Sequence, residues 1–208
     1  MLDLERIAAV TPTTAPFPHF VATDVLDRFS LRAIQRDFPP ISKPGLFTLD
    51  DVARTGAFSK LVDEIQSQRL AMVIGKQFGV ELTELPQMVT VRGQCSSRDG
   101  RIHTDSRDKL VSCLLYLNDP DWDAEGGRLR LLRNGSDLND VIAEVPPTGG
   151  TLIAFRRSHN SWHGHAPFEG RRRYVMFNWM QSTDALSKNL SRHRISAFFK
   201  RFGLFDHY

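Results

Sequence analysis

Apolar positions in the first eighty or so residues recur at intervals of three and four. "LDLERIAAV" is a short amphipathic stretch, ended by Pro12, Pro16 and Pro18. In "DVLDRFSLRAIQRDF", Val25, Leu26, Phe29, Ile34 and Phe38 fall close to the helical period, and Pro39-Pro40 stops the run. "FSKLVDEIQSQRLAMVIGKQFGV" carries Phe58, Leu61, Val62, Ile65, Leu70, Val73 and Ile74 at similar spacing, which predicts one longer helix. From about residue 86 the pattern shortens to runs rich in β-branched and aromatic residues, with Gly, Asn and Asp between them. "QMVTVRG", "LVSCLLYLN", "GRLRLLR", "VIAEVPP", "TLIAF" and "RRYVMFNWM" are the predicted strands.

Short strands separated by turn residues predict an α+β chain. Its core is a sandwich or jelly-roll barrel, with the N-terminal helices packed on one sheet. A single domain over 1–208 is expected, with 1–85 as mainly helical support, 86–181 as the strand core and 182–208 as a basic helical tail. That tail, "SKNLSRHRISAFFKRFGLF", reads as a surface helix docked by Ile195, Phe198 and Phe199. At 208 residues and 41% hydrophobic, the chain can bury such a core without help from disulfides. Its net charge of +3 is too small to mark a nucleic-acid binder. Cys95 and Cys113 are too few for a disulfide framework and lack zinc-site spacing, so a reducing, cytoplasmic setting is expected. "MLDLERIAAV" is acidic and lacks a leader's apolar run, and no stretch reaches 18 apolar residues.

The chemistry concentrates in two places. "RIHTDSRD" sets His103 and Asp105 one residue apart, and strand geometry would point both to one face. An imidazole and a carboxylate suit Fe(II), but two ligands make a weak site. "TGGTLIAFRRSHNSWHGHAPFEGRRRYVMFNW" then offers His159, His163 and His165 in a loop between strands. One further neutral imidazole would complete two His and one carboxylate, with neighbouring metal positions open. An arginine at the start of the returning strand could clamp a carboxylate through two parallel hydrogen bonds.

These segments, in order, resemble the Fe(II)- and 2-oxoglutarate-dependent dioxygenases, in particular the prolyl-hydroxylase branch that includes oxygen-sensing enzymes. The resemblance covers roughly residues 88–180. It is carried by "HTD", "KLVSCLLYLNDPDWDAEGGRLRLL", "PPTGGTLIAF" and "HGHAPFEGRRR". It implies His103, Asp105 and His163 as iron ligands, His163 being preferred to His165 because Pro167 follows it at the family's usual distance. Tyr116 matches a residue that binds the distal carboxylate of 2-oxoglutarate, and Leu114 and Leu129 match apolar residues lining that pocket. The arginine partner is Arg172 or Arg173. Arg172 is preferred because it leaves Val175, Phe177 and Trp179 together on the opposite face. Arg98, Asp99 and Arg101 are candidates for substrate contact.

The implied activity is hydroxylation of an unactivated C–H bond, with 2-oxoglutarate decarboxylated to succinate and CO2. Fe(II), 2-oxoglutarate and dioxygen take part, and ascorbate is a candidate accessory reductant. The expected substrate is a protein side chain, an amino acid or a small metabolite. Two other readings stand beside it: a non-catalytic metal- and 2-oxoglutarate-binding sensor barrel, and a nucleic-acid-associated demethylase using the basic tail. Two features depart from the oxygen-sensing pattern. Arg92 stands where those relatives carry a tyrosine, and the "SRDK" loop after Asp105 is shorter.

Overall fold

The structure is a computed structural model that describes residues 1–191. Helix α1 (Leu4–Ala9) leads to strand β1 (His19–Ala22), helix α2 (Arg28–Arg36) and strand β2 (Phe47–Thr48). Helices α3 (Gly56–Ile65) and α4 (Gln68–Phe78) follow. The strands of the second part are β3 (Gln87–Cys95), β4 (Lys109–Tyr116), β5 (Leu129–Leu132), β6 (Val141–Val145), β7 (Leu152–Arg156), β8 (His163–Gly164) and β9 (Gly170–Met180). They make a six-stranded sheet in the order β1-β7-β4-β9-β3-β2 and a three-stranded sheet in the order β6-β5-β8. All pairs are antiparallel, which gives the α+β jelly-roll arrangement expected from the strand pattern.

Alternation along the central strands sorts side chains between two cores. On β4, Val111, Cys113 and Leu115 face the helices, while Leu114 and Tyr116 face the small sheet. On β9, Val175, Phe177 and Trp179 pack under the helices, whereas Tyr174 lies between the sheets. Both faces of the large sheet are therefore covered. This explains why "LVSCLLYLN" reads as a nearly continuous apolar run and not as strict alternation.

Three expectations are corrected. The long helix over "FSKLVDEIQSQRLAMVIGKQFGV" is two helices, because Ser67 caps a new start. Its hydroxyl accepts from the Leu70 N–H at 3.2 Å and donates to the Glu64 carbonyl at 2.7 Å. Residues 1–85 are more than helical support, since β1 and β2 form both edges of the large sheet. These strands are too short to show a period. Phe29 does not join the core: Asp27 accepts hydrogen bonds from the N–H groups of Phe29 and Ser30, which starts α2 in a register that leaves this ring 84% exposed. Residues 183–191 are helical, with Ala185 packed near Met88 and Met180. Ile195, Phe198, Phe199 and the basic run of the tail lie outside the described residues. No helix among the described residues is long and apolar enough to cross a membrane.

Phe177, 1% exposed between the large sheet and the helices, should cost about 4 kcal/mol when replaced by alanine. Phe29→Ala should change stability by less than about 0.5 kcal/mol. Urea unfolding of both variants checks this layering.

Candidate active site

Backbone pairing brings two of the histidines together. The His103 N–H donates to the His163 carbonyl and the His163 N–H to the His103 carbonyl, both at 3.0 Å. This isolated antiparallel bridge extends the small sheet beyond β8, and the two rings lie 4.3 Å apart, centroid to centroid. Asp105 is not on the same strand face, as its spacing suggested, because the chain leaves extended pairing after His103. Side chains hold it instead. The Asp105 carbonyl accepts from Arg157 Nε at 3.2 Å, and its carboxylate accepts from Lys109 Nζ at 2.8 Å and from the Ser112 hydroxyl.

Both imidazoles are oriented for coordination. His103 Nδ1 lies 2.9 Å from the Arg101 carbonyl and His163 Nδ1 lies 3.0 Å from the Ser161 carbonyl. A carbonyl only accepts, so each Nδ1 carries the proton and each Nε2 presents a lone pair. Ligand atoms of His103, Asp105 and His163 all lie within 4.8 Å of one another, close enough for one ion to reach all three. Burial, reinforced by His103 and Lys109, pushes the His163 pKa down to about 4, so the ring is neutral at pH 7. Burial alone would raise the Asp105 pKa. The neighbouring Lys109 charge and the Lys109 and Ser112 hydrogen bonds outweigh it and hold the carboxyl well below its usual range. Two imidazoles and one carboxylate form a donor set that fits Fe(II).

A cavity of about 350 Å³ opens beside this cluster, lined in part by Leu114, Leu129, His165 and Arg172. Arg172 is 2% exposed. Its Nε donates to the Gly127 carbonyl at 2.7 Å and its Nη2 to the Tyr116 hydroxyl at 2.8 Å. The guanidinium lies 5.3 Å from the Tyr116 ring centroid and 4.9 Å from that of Tyr174. Among the described residues no carboxylate pairs with it. Arg173 points to the other side of β9, where its guanidinium lies over Phe38 at 5.1 Å, so alternation removes it from the cavity.

His165 lines the cavity but stands apart from the three-residue cluster. Gly100 makes room for its ring. Gly100 has φ +91°, and a Cβ there would lie 2.4 Å from His165 Nδ1. His159 is exposed in the turn after β7. Sequence reasoning missed Lys109 and Ser112 as partners of Asp105. They read as ordinary strand residues, and only the fold of the loop onto β4 reveals them. Arg92, Arg98, Asp99 and Arg101 all line the cavity.

Residues 93–181 match the 2OG-Fe(II) oxygenase superfamily. Those residues are a 2OG-Fe(II) oxygenase domain. The match holds every member of the histidine and aspartate cluster, together with Tyr116 and Arg172. Fe(II) and 2-oxoglutarate are the cofactors of this superfamily. A prolyl-4-hydroxylase from Pseudomonas putida is similar over 84% of this chain and 98% of its own, at 18% identity and a TM-score of 0.58. A prolyl hydroxylase from Trichoplax adhaerens, solved with a hypoxia-inducible-factor peptide fragment, is similar over 86% of this chain and 87% of its own, at 15% identity and a TM-score of 0.51. Iron-bound HygX from Streptomyces hygroscopicus is similar over 79% of this chain and 82% of its own, at 13% identity and a TM-score of 0.51. These likenesses show a shared fold. No curated protein matches the chain in sequence.

Two predictions come from the site's electrostatics. Lys109→Met leaves a buried carboxylate without its cation and should destabilise the metal-free protein by about 3 kcal/mol. Saturating Zn(II) should then stabilise the variant more than it stabilises the wild type, as read by urea unfolding with and without metal. Burial, helped at His165 by Arg172, lowers the pKa of both His163 and His165 from 6.5 to about 4. The unfolded chain therefore binds more protons between these values. Metal-free stability should be full above pH 6.5 and fall as the pH drops towards 4, with a shallower fall in His163→Gln.

Proposed function

We propose that this protein is an Fe(II)- and 2-oxoglutarate-dependent hydroxylase in which His103, Asp105 and His163 hold the metal and Arg172 holds the distal carboxylate of the co-substrate. The observation that carries the reading is the buried Arg172 guanidinium, which faces the same cavity as the metal cluster and has no carboxylate of its own among the described residues. Keeping such a charge in a dry pocket is costly unless a bound anion compensates it.

When bound, the metal and 2-oxoglutarate supply the activation of dioxygen that hydroxylates a substrate C–H bond, with release of succinate and CO2. The protein's own part is positional. The Arg101 and Ser161 carbonyls fix the two imidazoles, and Lys109 and Ser112 fix the carboxylate of Asp105. Arg172 presents its fork to the distal carboxylate. Burial, countered in part by Arg172, pushes the Tyr116 pKa up to about 12, so its hydroxyl keeps a proton. Its oxygen accepts from Arg172, which leaves that proton for the same carboxylate. Leu114 and Leu129 exclude water along the carbon chain between the two ends.

The substrate is a protein side chain, an amino acid or a small metabolite, and the peptide held by the Trichoplax enzyme supports the first of these. The edge strands supplied by residues 1–85 support reading the whole chain as one domain. Cys95 and Cys113, buried and unpaired, support a reducing compartment.

His103→Ala, Asp105→Ala and His163→Ala should each lower metal-dependent succinate formation by more than about 100-fold while far-UV circular dichroism stays unchanged. Arg172→Ala should raise the 2-oxoglutarate concentration needed for half-maximal turnover by about tenfold or more, and Arg173→Ala by less than about twofold. The reverse order would move the clamp to Arg173.

A further inference from the structure

We propose that the substrate of this pocket carries an anionic group, received at the mouth by Arg98 and Arg101 with Arg92 behind them. This rests on the oxygenase reading above and specifies its substrate class.

The first support is charge. Five cationic side chains, Arg92, Arg98, Arg101, Lys109 and Arg172, line the cavity against two carboxylates, Asp99 and Asp105. Both carboxylates are engaged, Asp99 with Arg92 and Asp105 with Lys109. A divalent metal and a dianionic co-substrate cancel one another, so loading the site leaves the excess of three cations in place. Arg172 is used by the co-substrate. Arg98 and Arg101 are exposed and form no ion pair among the described residues.

The second support is a buried cation behind the mouth. Arg92 is 7% exposed on β3. Its Nη1 bonds Asp99, but its Nε is buried with no hydrogen-bond partner. That nitrogen is closed off from the cavity, so Arg92 acts on the wall it helps to line through its charge. Arg92 also lies 5.9 Å from the Tyr174 ring centroid, an aromatic partner it shares with Arg172.

The third support is rigidity. The loop carrying Arg98 and Arg101 is pinned at both ends. Asp99 accepts from the Ser96 N–H at 2.8 Å, the Gly100 carbonyl accepts from the His165 N–H at 2.9 Å, and the Arg101 carbonyl orients His103. The backbone at both arginines is therefore fixed beside the reacting centre, where a guanidinium fork matches a carboxylate or a phosphate. An acid group of a small molecule and an acidic side chain of a peptide present the same chemistry to them.

The test uses the full chain with Fe(II), 2-oxoglutarate and air, and reads succinate above the substrate-free rate. Probes come as matched pairs: N-acetyl amino acids against their amides, Asp- or Glu-containing peptides against Asn or Gln counterparts, and phosphorylated sugars against free sugars. At least one anionic member should raise succinate about tenfold more than its neutral partner, and the pair that responds identifies the source of the anion. The Arg98→Gln/Arg101→Gln double variant should lose that stimulation about tenfold, while calorimetric binding of Mn(II) and 2-oxoglutarate shows its metal site intact. Equal stimulation by neutral partners, stimulation that survives the double variant, or no response to any anionic probe would overturn the proposal. Absence of Mn(II) and 2-oxoglutarate binding in the wild type would instead defeat the oxygenase reading beneath it.

Discussion

The reciprocal bridge between His103 and His163 is the constraint on which the site depends. Two backbone hydrogen bonds of 3.0 Å decide that imidazoles sixty residues apart in sequence meet, before any metal or charge acts on them. The bridge in turn needs the small sheet, because β5 is the strand of that sheet on which β8 pairs. The small sheet stays in place because Leu129, Leu131 and Val145 pack against Leu114, Tyr116, Ile153 and Phe155 of the large one. The sequence-to-function chain thus runs from alternation on β4 and β7, through the inter-sheet core, to the distance between two ring nitrogens.

Around that frame the protein buries charges that folding alone does not favour. Asp105 and Lys109 form a pair roughly nine-tenths buried, and Arg172 lies deeper still, with only neutral hydrogen-bond partners among the described residues. Such groups cost stability in an empty pocket. They make sense together if a cation binds at Asp105 and an anion at Arg172, since each ligand then supplies the missing counter-charge. The depressed pKa of His163 follows from the same burial and keeps the ring available as a ligand at neutral pH.

Much of this was legible in the residues, for physical reasons. Every strand predicted in 86–181 is present, and the most apolar of these runs, on β4 and β7, lie between the two cores. Placing Val175, Phe177 and Trp179 on one face of β9 forces Arg172 to the other, and the structure has that arrangement. Local signals failed where tertiary contacts decide. At Ser67 the cap is local, but the apolar period running through it hid the break between the two helices. β1, β2 and β8 are too short to carry a period, and Asp105 owes its position to Lys109, Ser112 and Arg157 and not to strand spacing.

In the proposed function, one cavity holds a metal at His103, Asp105 and His163 and 2-oxoglutarate across to Arg172. An anaerobic absorption titration of the Fe(II)-loaded protein with 2-oxoglutarate tests it most directly. The expected result is a visible chelate band that saturates at one equivalent of metal and co-substrate per chain. A folded protein that binds Fe(II) yet develops no band at saturating 2-oxoglutarate would contradict the account.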